Sequence, residues 1–134
     1  MSQEDVEGFQ RVIDAFHRQD VDALLEELDP EVEWHPVIQV MLGGEATVYR
    51  GHARVREMLG DVFATVEIHA EYSQIRDLGG QVIGIGVIRA RGRGSGAEIE
   101  SPYATLVEIK NGKAISIHTY LDPQEALEAA GLQA

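Results

Sequence analysis

The spacing of hydrophobic residues changes abruptly at residue 66. Before it, apolar side chains recur at the three- and four-residue intervals of helices, as in Phe9, Val12, Ile13 and Phe16. From Val66 onward the chain is rich in Val, Ile, Thr and Tyr, which favour strands. A chain with helices gathered at the front and strands at the back is predicted to fold as α+β, and not as alternating βαβ units.

Four strands are predicted after residue 66, joined as an antiparallel meander. Their ranges are 66–78, 81–91, 97–109 and 113–121, and two-residue turns at Gly79-Gly80 and Asn111-Gly112 join the first pair and the last pair. Within the second strand, Gly84 and Gly86 favour bending of the sheet over room for a ligand. Such a sheet, curved over a helical layer, makes a cone whose mouth often holds a ligand.

The elements outside the meander follow from local signals. A first helix ends near residue 19, and Asp20 caps a second helix whose apolar face is Val21, Leu24, Leu25 and Leu28. A short strand, 32–35, stops at Pro36, a loop follows, and a helix covers 52–65. Asp122 caps a final helix that has Pro123 at its first position.

Composition excludes several classes of protein. The 134 residues suit one domain over 1–134, and the absence of cysteine excludes disulfides and thiolate metal sites. A net charge of −12 would repel a nucleic-acid backbone. No apolar run approaches the ~20 residues of a membrane span, and residues 1–20 lack the apolar centre of a signal peptide. We therefore expect a cytoplasmic protein with no nucleic-acid or membrane partner.

Several short strings resemble the SnoaL-like family of the nuclear transport factor 2-like superfamily. They are Val48-Tyr49-Arg50-Gly51, Gly94-Ser95-Gly96, Asn111-Gly112-Lys113 and the stretch 120–127. The resemblance covers nearly the whole chain and implies a cone-shaped, curved antiparallel sheet packed on N-terminal helices. Relatives include polyketide cyclases, ketosteroid isomerases and limonene epoxide hydrolases. They imply a small hydrophobic ligand (polyketide-, steroid- or terpenoid-like), no cofactor, and a homodimer formed through the outer sheet face.

The catalytic groups of these relatives are not all present. Where the cyclases have an aspartate base, this sequence has Thr119. The positions of the hydrolase set fall on Thr119, Gly86, Ile88, Trp34 and Pro36, so its water-activating carboxylates are absent. The isomerase comparison retains only a possible base, His35. Each of the three mechanisms therefore lacks at least one necessary group.

Trp34 and His35 are alternatives for the pocket, because adjacent strand residues point to opposite faces. Val32 and Trp34 form the apolar set, which favours Trp34 inside as a flat wall against a ligand or as core. His35 is the candidate general base if the other face turns inward, and otherwise an exposed histidine beside Glu33.

Alternation on the last two strands supplies the other candidates. Tyr103 and Thr105 could place hydroxyls in the pocket, and Ile115, Ile117 and Thr119 share the inward face of the final strand. Glu98 is a second tentative acid or base; the alternative is that it and Glu100 pair with Arg89, Arg91 or Arg93. The predicted ligand-contact residues are Trp34, Ile88, Tyr103, Thr105, Ile117 and Thr119.

His118 and Tyr120 fall on the outer face, where we expect a second copy to dock. The five histidines are scattered and no pair has metal-ligand spacing, so no metal is expected. Three functions stay open. They are an apolar pocket that binds a small organic molecule, a cofactor-free isomerase, cyclase, hydratase or hydrolase with a His or Glu base, and a dimerisation module with a filled cone.

Overall fold

Six strands form one sheet, and two long helices cover one of its faces. This is the arrangement in a computed structural model, which describes residues 2–132, and it confirms the α+β prediction. In chain order the elements are α1 (Ser2–Arg18), α2 (Val21–Glu26), β1 (Leu28–His35), α3 (Ile38–Met41), β2 (Tyr49–Arg50), α4 (Gly51–Thr65), β3 (Val66–Asp77), β4 (Gln81–Gly92), β5 (Glu98–Lys110), β6 (Lys113–Tyr120) and α5 (Pro123–Ala129).

The sheet has the strand order β2-β1-β6-β5-β4-β3, so β3 lies at one edge. The strands β3 to β6 form the predicted antiparallel meander. In contrast, β1 runs parallel to β6, with Trp34 opposite Ile117 and His35 opposite His118. Parallel neighbours need a long crossover, and here the whole of α3, β2, α4 and the meander connects them.

Both predicted hairpin turns form with the expected backbone geometry. Gly79 and Gly80 have φ values of 76° and 89°, and Asn111 and Gly112 have values of 54° and 77°. Two consecutive residues with positive φ match the right-handed twist of the flanking strands, which is why Gly and Asn occupy these positions. The meander therefore has its register fixed by local turn chemistry.

Two β-bulges bend the sheet. In β3 the register shifts between Tyr72 and Gln74, opposite Gly86 in β4. A Cβ atom at Gly86 would lie 1.8 Å from the carbonyl oxygen of Glu71, so only glycine permits this close approach. The favoured bending role of Gly86 agrees with this geometry.

The second bulge corrects one facing prediction. Glu108 pairs with Ser116 but Ile109 pairs with Ala114, which leaves Ile115 as the extra residue of β6. As a result Ala114 is buried in the core and Ile115 is only partly buried. The expectation that Ile115 shares the inward face with Ile117 was wrong because the alternation breaks at that point.

Two boundaries also differ from the predictions. Leu28, assigned to the apolar face of the second helix, is instead the first residue of β1, where it is 1% exposed. The strand tolerates Pro30 because its register with β6 is interrupted between Leu28 and Glu33. The short helix α3 occupies part of the segment predicted as a loop.

Apolar side chains fill the space between the helices and the inner face of the sheet, which is the face turned toward α1 and α4. A smaller cluster lies on the outer face, where Ala126 of α5 is fully buried against Ile83, Ala104 and Leu106. Asp122 caps α5 by accepting a hydrogen bond from the amide of Gln124. Across residues 2–132, no helix has the length and apolar character needed to cross a membrane.

Candidate functional site

A cavity of about 40 Å³ lies between α1 and the inner face of the sheet. A second cavity of about 30 Å³ adjoins it, and the two share the side chains of Phe16, Trp34, Ile88, Tyr103 and Thr119. Every predicted ligand-contact residue lines the first cavity: Trp34, Ile88, Tyr103, Thr105, Ile117 and Thr119. Strand alternation and the comparison with the hydrolase relatives thus predicted side chains that the structure places around one cavity, and their role in binding stays a prediction.

Trp34 points inward, as the alternation favoured. It is 6% exposed and packs in the main core, while the adjacent His35 lies on the outer face. There His35 Nε2 lies 3.0 Å from the Glu33 carboxylate, and its ring stacks on His118 at 3.8 Å between centroids. The structure thus does not place the candidate base His35 in the cavity, because β1 is regular at this point.

Glu98 also lies away from the cavity. It is exposed at the start of β5, opposite Arg91 in the β4–β5 ladder. The neighbouring pair confirms part of the ion-pair prediction, since Arg89 Nε lies 2.6 Å from Glu100 Oε2. Glu98 therefore faces solvent among arginine side chains and lies outside the residues that line the cavity.

Four hydroxyl groups form the polar part of the cavity wall. The Tyr72 hydroxyl lies 2.8 Å from Thr105 Oγ1, and Thr119 Oγ1 donates a hydrogen bond of 2.8 Å to the carbonyl of His35. Burial raises the pKa of Tyr103, and the pKa of Tyr72 well above its ordinary value. Both phenols are therefore protonated at neutral pH and can donate hydrogen bonds but cannot act as bases.

The structure adds an aromatic wall that the sequence reasoning missed. Phe9, Phe16 and Tyr72 line the cavity together with Trp34 and Tyr103. Phe9 meets Tyr72 edge to face at 5.3 Å, and both rings crowd the backbone of β4 at Gly84. A Cβ atom at Gly84 would lie 2.6 Å from Phe9 Cζ, so this glycine makes room for protein aromatic rings.

His17 is a further cavity residue that the sequence reasoning missed. It lies in the last turn of α1, lines the cavity, and accepts a hydrogen bond of 3.1 Å at Nε2 from the amide of Ala70 in β3. Its ring stacks on His69 at 4.3 Å. Burial lowers the pKa of His17, and the neighbouring His69 lowers it further. His17 is therefore neutral at pH 7, with its proton on Nδ1.

The cavity wall, within the described residues, contains aromatic, aliphatic and hydroxyl side chains and one neutral histidine, but no carboxylate. The same residues include no cluster of three His, Cys, Asp or Glu side chains placed to hold a metal ion. The arrangement can enclose a small apolar group and offer hydroxyl hydrogen bonds to one polar atom.

The sequence profile of the SnoaL-like domain family matches residues 9–117, which include every residue that lines the cavity of about 40 Å³ except Thr119. The chain belongs to this SnoaL-like family. The resemblance noted in the sequence is thus confirmed over most of its length. No curated protein is a significant match to the SnoaL-like chain.

Solved structures share the SnoaL-like fold across almost the whole chain. An NTF2-like protein of unknown function from Burkholderia pseudomallei is 22% identical, with 96% of this chain and 97% of that one covered and a TM-score of 0.78. TerC, co-crystallised with polyporic acid, is 21% identical over 96% and 98%, with a TM-score of 0.75. A hypothetical protein with a ketosteroid isomerase-like fold from Catenulispora acidiphila, in complex with trimethylamine, is 16% identical over 94% and 93%, with a TM-score of 0.74. At these identities the likeness establishes the fold.

Proposed function

We propose that this SnoaL-like protein binds a compact, largely apolar organic molecule in the cone cavity and holds one oxygen atom of that molecule by tyrosine and threonine hydroxyls. The observation that carries the proposal is the composition of the cavity wall, which is apolar except for His17 and the hydroxyls around Tyr103 and Thr105. Two related structures hold small organic molecules, polyporic acid and trimethylamine, which supports a ligand role for the fold.

The size of the cavity favours a small ligand. A water molecule needs roughly 10–15 Å³ of such space, so a cavity of about 40 Å³ holds about three water-sized groups. The adjoining cavity of about 30 Å³ adds about two more. Pockets for drug-sized ligands usually measure about 300 Å³ or more, so a steroid or polyketide would require the cone to expand.

The positions of the titratable groups favour binding without proton transfer by His35 or Glu98. Both side chains lie outside the cavity, and the one histidine among the described lining residues uses Nε2 to accept a backbone hydrogen bond. The phenols of Tyr72 and Tyr103 stay protonated because burial raises the pKa of each. Catalysis by a histidine or glutamate base is therefore the weaker candidate.

Methyl NMR with 2-butanone tests the proposal directly. This ketone has five non-hydrogen atoms and one carbonyl oxygen, and we expect it to shift the Ile88 and Ile117 methyl resonances. Replacing the phenol in Tyr103→Phe should weaken binding about fivefold, the effect of one lost hydrogen bond of ~1 kcal/mol. Tyr49→Phe is the matched control, because the Tyr49 hydroxyl bonds Gln39 outside the cavity.

A second pair of variants tests whether 2-butanone binds in this cavity. Val12→Phe adds a ring to the cavity wall and should abolish the shifts, whereas Val48→Phe makes the same change at an exposed site and should preserve them. The absence of methyl shifts in the wild-type protein would contradict the proposal. If anthraquinone binds and 2-butanone does not, the site is right and the proposed ligand size is wrong.

We also propose that two copies pair through the outer face of β1 and β6. The outer surface there carries the stacked rings of His35 and His118 and the side chain of Glu33, while α5 covers a different part of this face. Light scattering should give the mass of two chains. His118→Glu places a third carboxylate near Glu33 and Glu108 and should yield monomers; a wild-type monomer at high concentration would refute the pairing.

A further inference from the structure

At the C-terminal end of α1, one side chain borders both the cavity and the protein surface. His17 lines the internal cavity and also lines an open surface groove bounded by β3, β4 and β5. Movement of His17 away from β3 would join the groove to the cavity.

One hydrogen bond holds His17 in place. Because β3 is an edge strand, the Ala70 amide has no neighbouring strand to bond, and it donates to His17 Nε2 at 3.1 Å. Across residues 2–132 this is the one side-chain hydrogen bond between α1 and β3. A nitrogen that accepts a hydrogen bond carries no proton, so this contact exists only with neutral imidazole.

We propose that His17 is a pH-sensitive latch on the route by which the ligand enters the cavity. This inference rests on the proposed function of the cavity as a binding site. Neutral His17 closes the seam between α1 and the edge of β3. Protonation puts a hydrogen on Nε2, which then faces the hydrogen of the Ala70 amide, and the latch opens.

The surroundings of His17 determine the direction of the response. The charged and titratable groups around it are Asp14 on α1, Glu67, His69 and Glu71 on β3, Arg89 and Arg91 on β4, Arg93 just after β4, and Glu98 and Glu100 on β5. Arg93 Nη1 lies 3.4 Å from Glu67 Oε1. Arg89 is paired with Glu100, and Arg91 lies opposite Glu98, so these charges largely cancel. Asp14 favours protonation, but burial and His69 oppose it more strongly.

The direction of the pH response follows from the pKa of His17 in the open and closed states of the latch. In the open state His17 is solvated, and its pKa returns to the ordinary value of about 6.5. In the closed state the pKa is lower. The closed state is therefore fully favoured above about pH 6.5 and loses stability as the pH falls from there toward the lowered pKa.

The opposite wall of the cavity is a poorer route. A second groove, which has acidic residues of α1 in its wall, shares Val12, Val107 and Phe9 with the cavity. The aromatic residue among these three is Phe9. Its side chain is 1% exposed, and its ring is wedged against Tyr72 and the backbone of Gly84. Opening there would unpack a core aromatic residue, whereas His17 is half-buried and held by one hydrogen bond.

Xenon is a suitable probe, because it is one apolar atom and enters dry apolar cavities. Full-length protein with labelled isoleucine methyl groups would be placed under xenon, and the exchange rate at Ile88 and Ile117 would be measured at about pH 7.5 and about pH 5.5, on either side of the histidine pKa. We expect exchange to be about tenfold faster at the lower pH, which corresponds to ~1.4 kcal/mol. The near-ultraviolet spectrum of Trp34 verifies folding at both values.

His17→Gln provides the decisive variant. The glutamine oxygen can still accept from the Ala70 amide but does not titrate, so exchange should be slow at both pH values. His52→Gln is the matched control; His52 Nε2 bonds the carbonyl of Leu28, and this variant should retain the wild-type response.

The outcomes of the xenon experiment distinguish failure of the latch from failure of the cavity as a binding site. Xenon exchange that is independent of pH, or a wild-type pH response in His17→Gln, overturns the latch and leaves the binding function standing. Failure of xenon to reach Ile88 and Ile117 at either pH overturns the cavity as a binding site, and the latch with it.

Discussion

Replacing Gly84 by alanine tests how tightly the aromatic wall fills the cone. The added Cβ atom would lie 2.6 Å from Phe9 Cζ and 2.7 Å from Tyr72 Cδ1, distances that force both rings to move. Overpacking of a core costs about 1–3 kcal/mol, and a Gly-to-Ala change recovers about 0.4–1 kcal/mol by restricting the unfolded chain. We therefore expect Gly84→Ala to lower the free energy of unfolding by about 1–2 kcal/mol.

The same substitution at two other glycines supplies the comparison. Gly60 lies in α4 with no atom within 4 Å of its added Cβ, so Gly60→Ala should stabilise the protein by about 0.5–1 kcal/mol. Gly86→Ala should be the most damaging of the three, because its Cβ would lie 1.8 Å from the backbone oxygen of Glu71. The expected order of stability is Gly60→Ala, wild type, Gly84→Ala, Gly86→Ala.

Urea unfolding followed by the fluorescence of Trp34, the one tryptophan of the sequence, measures these differences. The midpoints of Gly60→Ala and Gly84→Ala should differ by about 1 M, since the slope for a protein of this size is about 1–3 kcal/mol per M. Equal slopes would show that all variants unfold from the same compact state. If Gly84→Ala is as stable as Gly60→Ala, the rings of Phe9 and Tyr72 are not wedged against β4 and the reasoning fails.

Three further predictions concern hydrogen bonds and pH. Tyr72→Phe and Thr105→Val should each cost about 1–3 kcal/mol but together cost less than their sum, because each single change leaves a buried hydroxyl unpaired; additive values in a double-mutant cycle would contradict this. Asp122→Ala should cost about 1 kcal/mol and speed amide exchange at Gln124, since the cap of α5 is lost; unchanged exchange would argue against the cap. Burial and His35 lower the pKa of His118, so the stability it contributes is complete above about pH 6.5 and declines as the pH falls below that value. His118→Gln should therefore flatten the pH dependence of unfolding, and an unaltered slope would count against this assignment.

The elements that could be predicted from the sequence are those fixed by neighbours in the chain. The turns at Gly79-Gly80 and Asn111-Gly112 form because Gly and Asn adopt positive φ readily, independently of the tertiary packing around them. The cap at Asp122 is likewise local. For the same reason, alternation along β5 correctly placed Tyr103 and Thr105 on the cavity side.

Features that depend on distant partners could not be predicted. The position of Leu28 fits the apolar face of a helix and also a buried position in a strand. Only its pairing with Ala114 shows that it belongs to a strand. The bulge at Ile115 depends on the register of β6 against both neighbours. His17 gains its importance from the Ala70 amide, 53 positions later, so nothing in its local sequence marks it.

The parallel pairing of the first strand with the last has a consequence for how the chain folds during synthesis. Thr119 donates to the carbonyl of His35 across 84 positions. Strand β1 pairs with the two-residue strand β2 on one side and with β6 on the other. At a ribosomal rate of about 5–20 residues per second, β1 waits roughly 4–17 s for its partner. Through that interval the indole of Trp34 lacks the surface that finally buries it. The N-terminal third therefore exposes apolar surface during synthesis, and β1 gains its parallel neighbour only after β6 has left the ribosome.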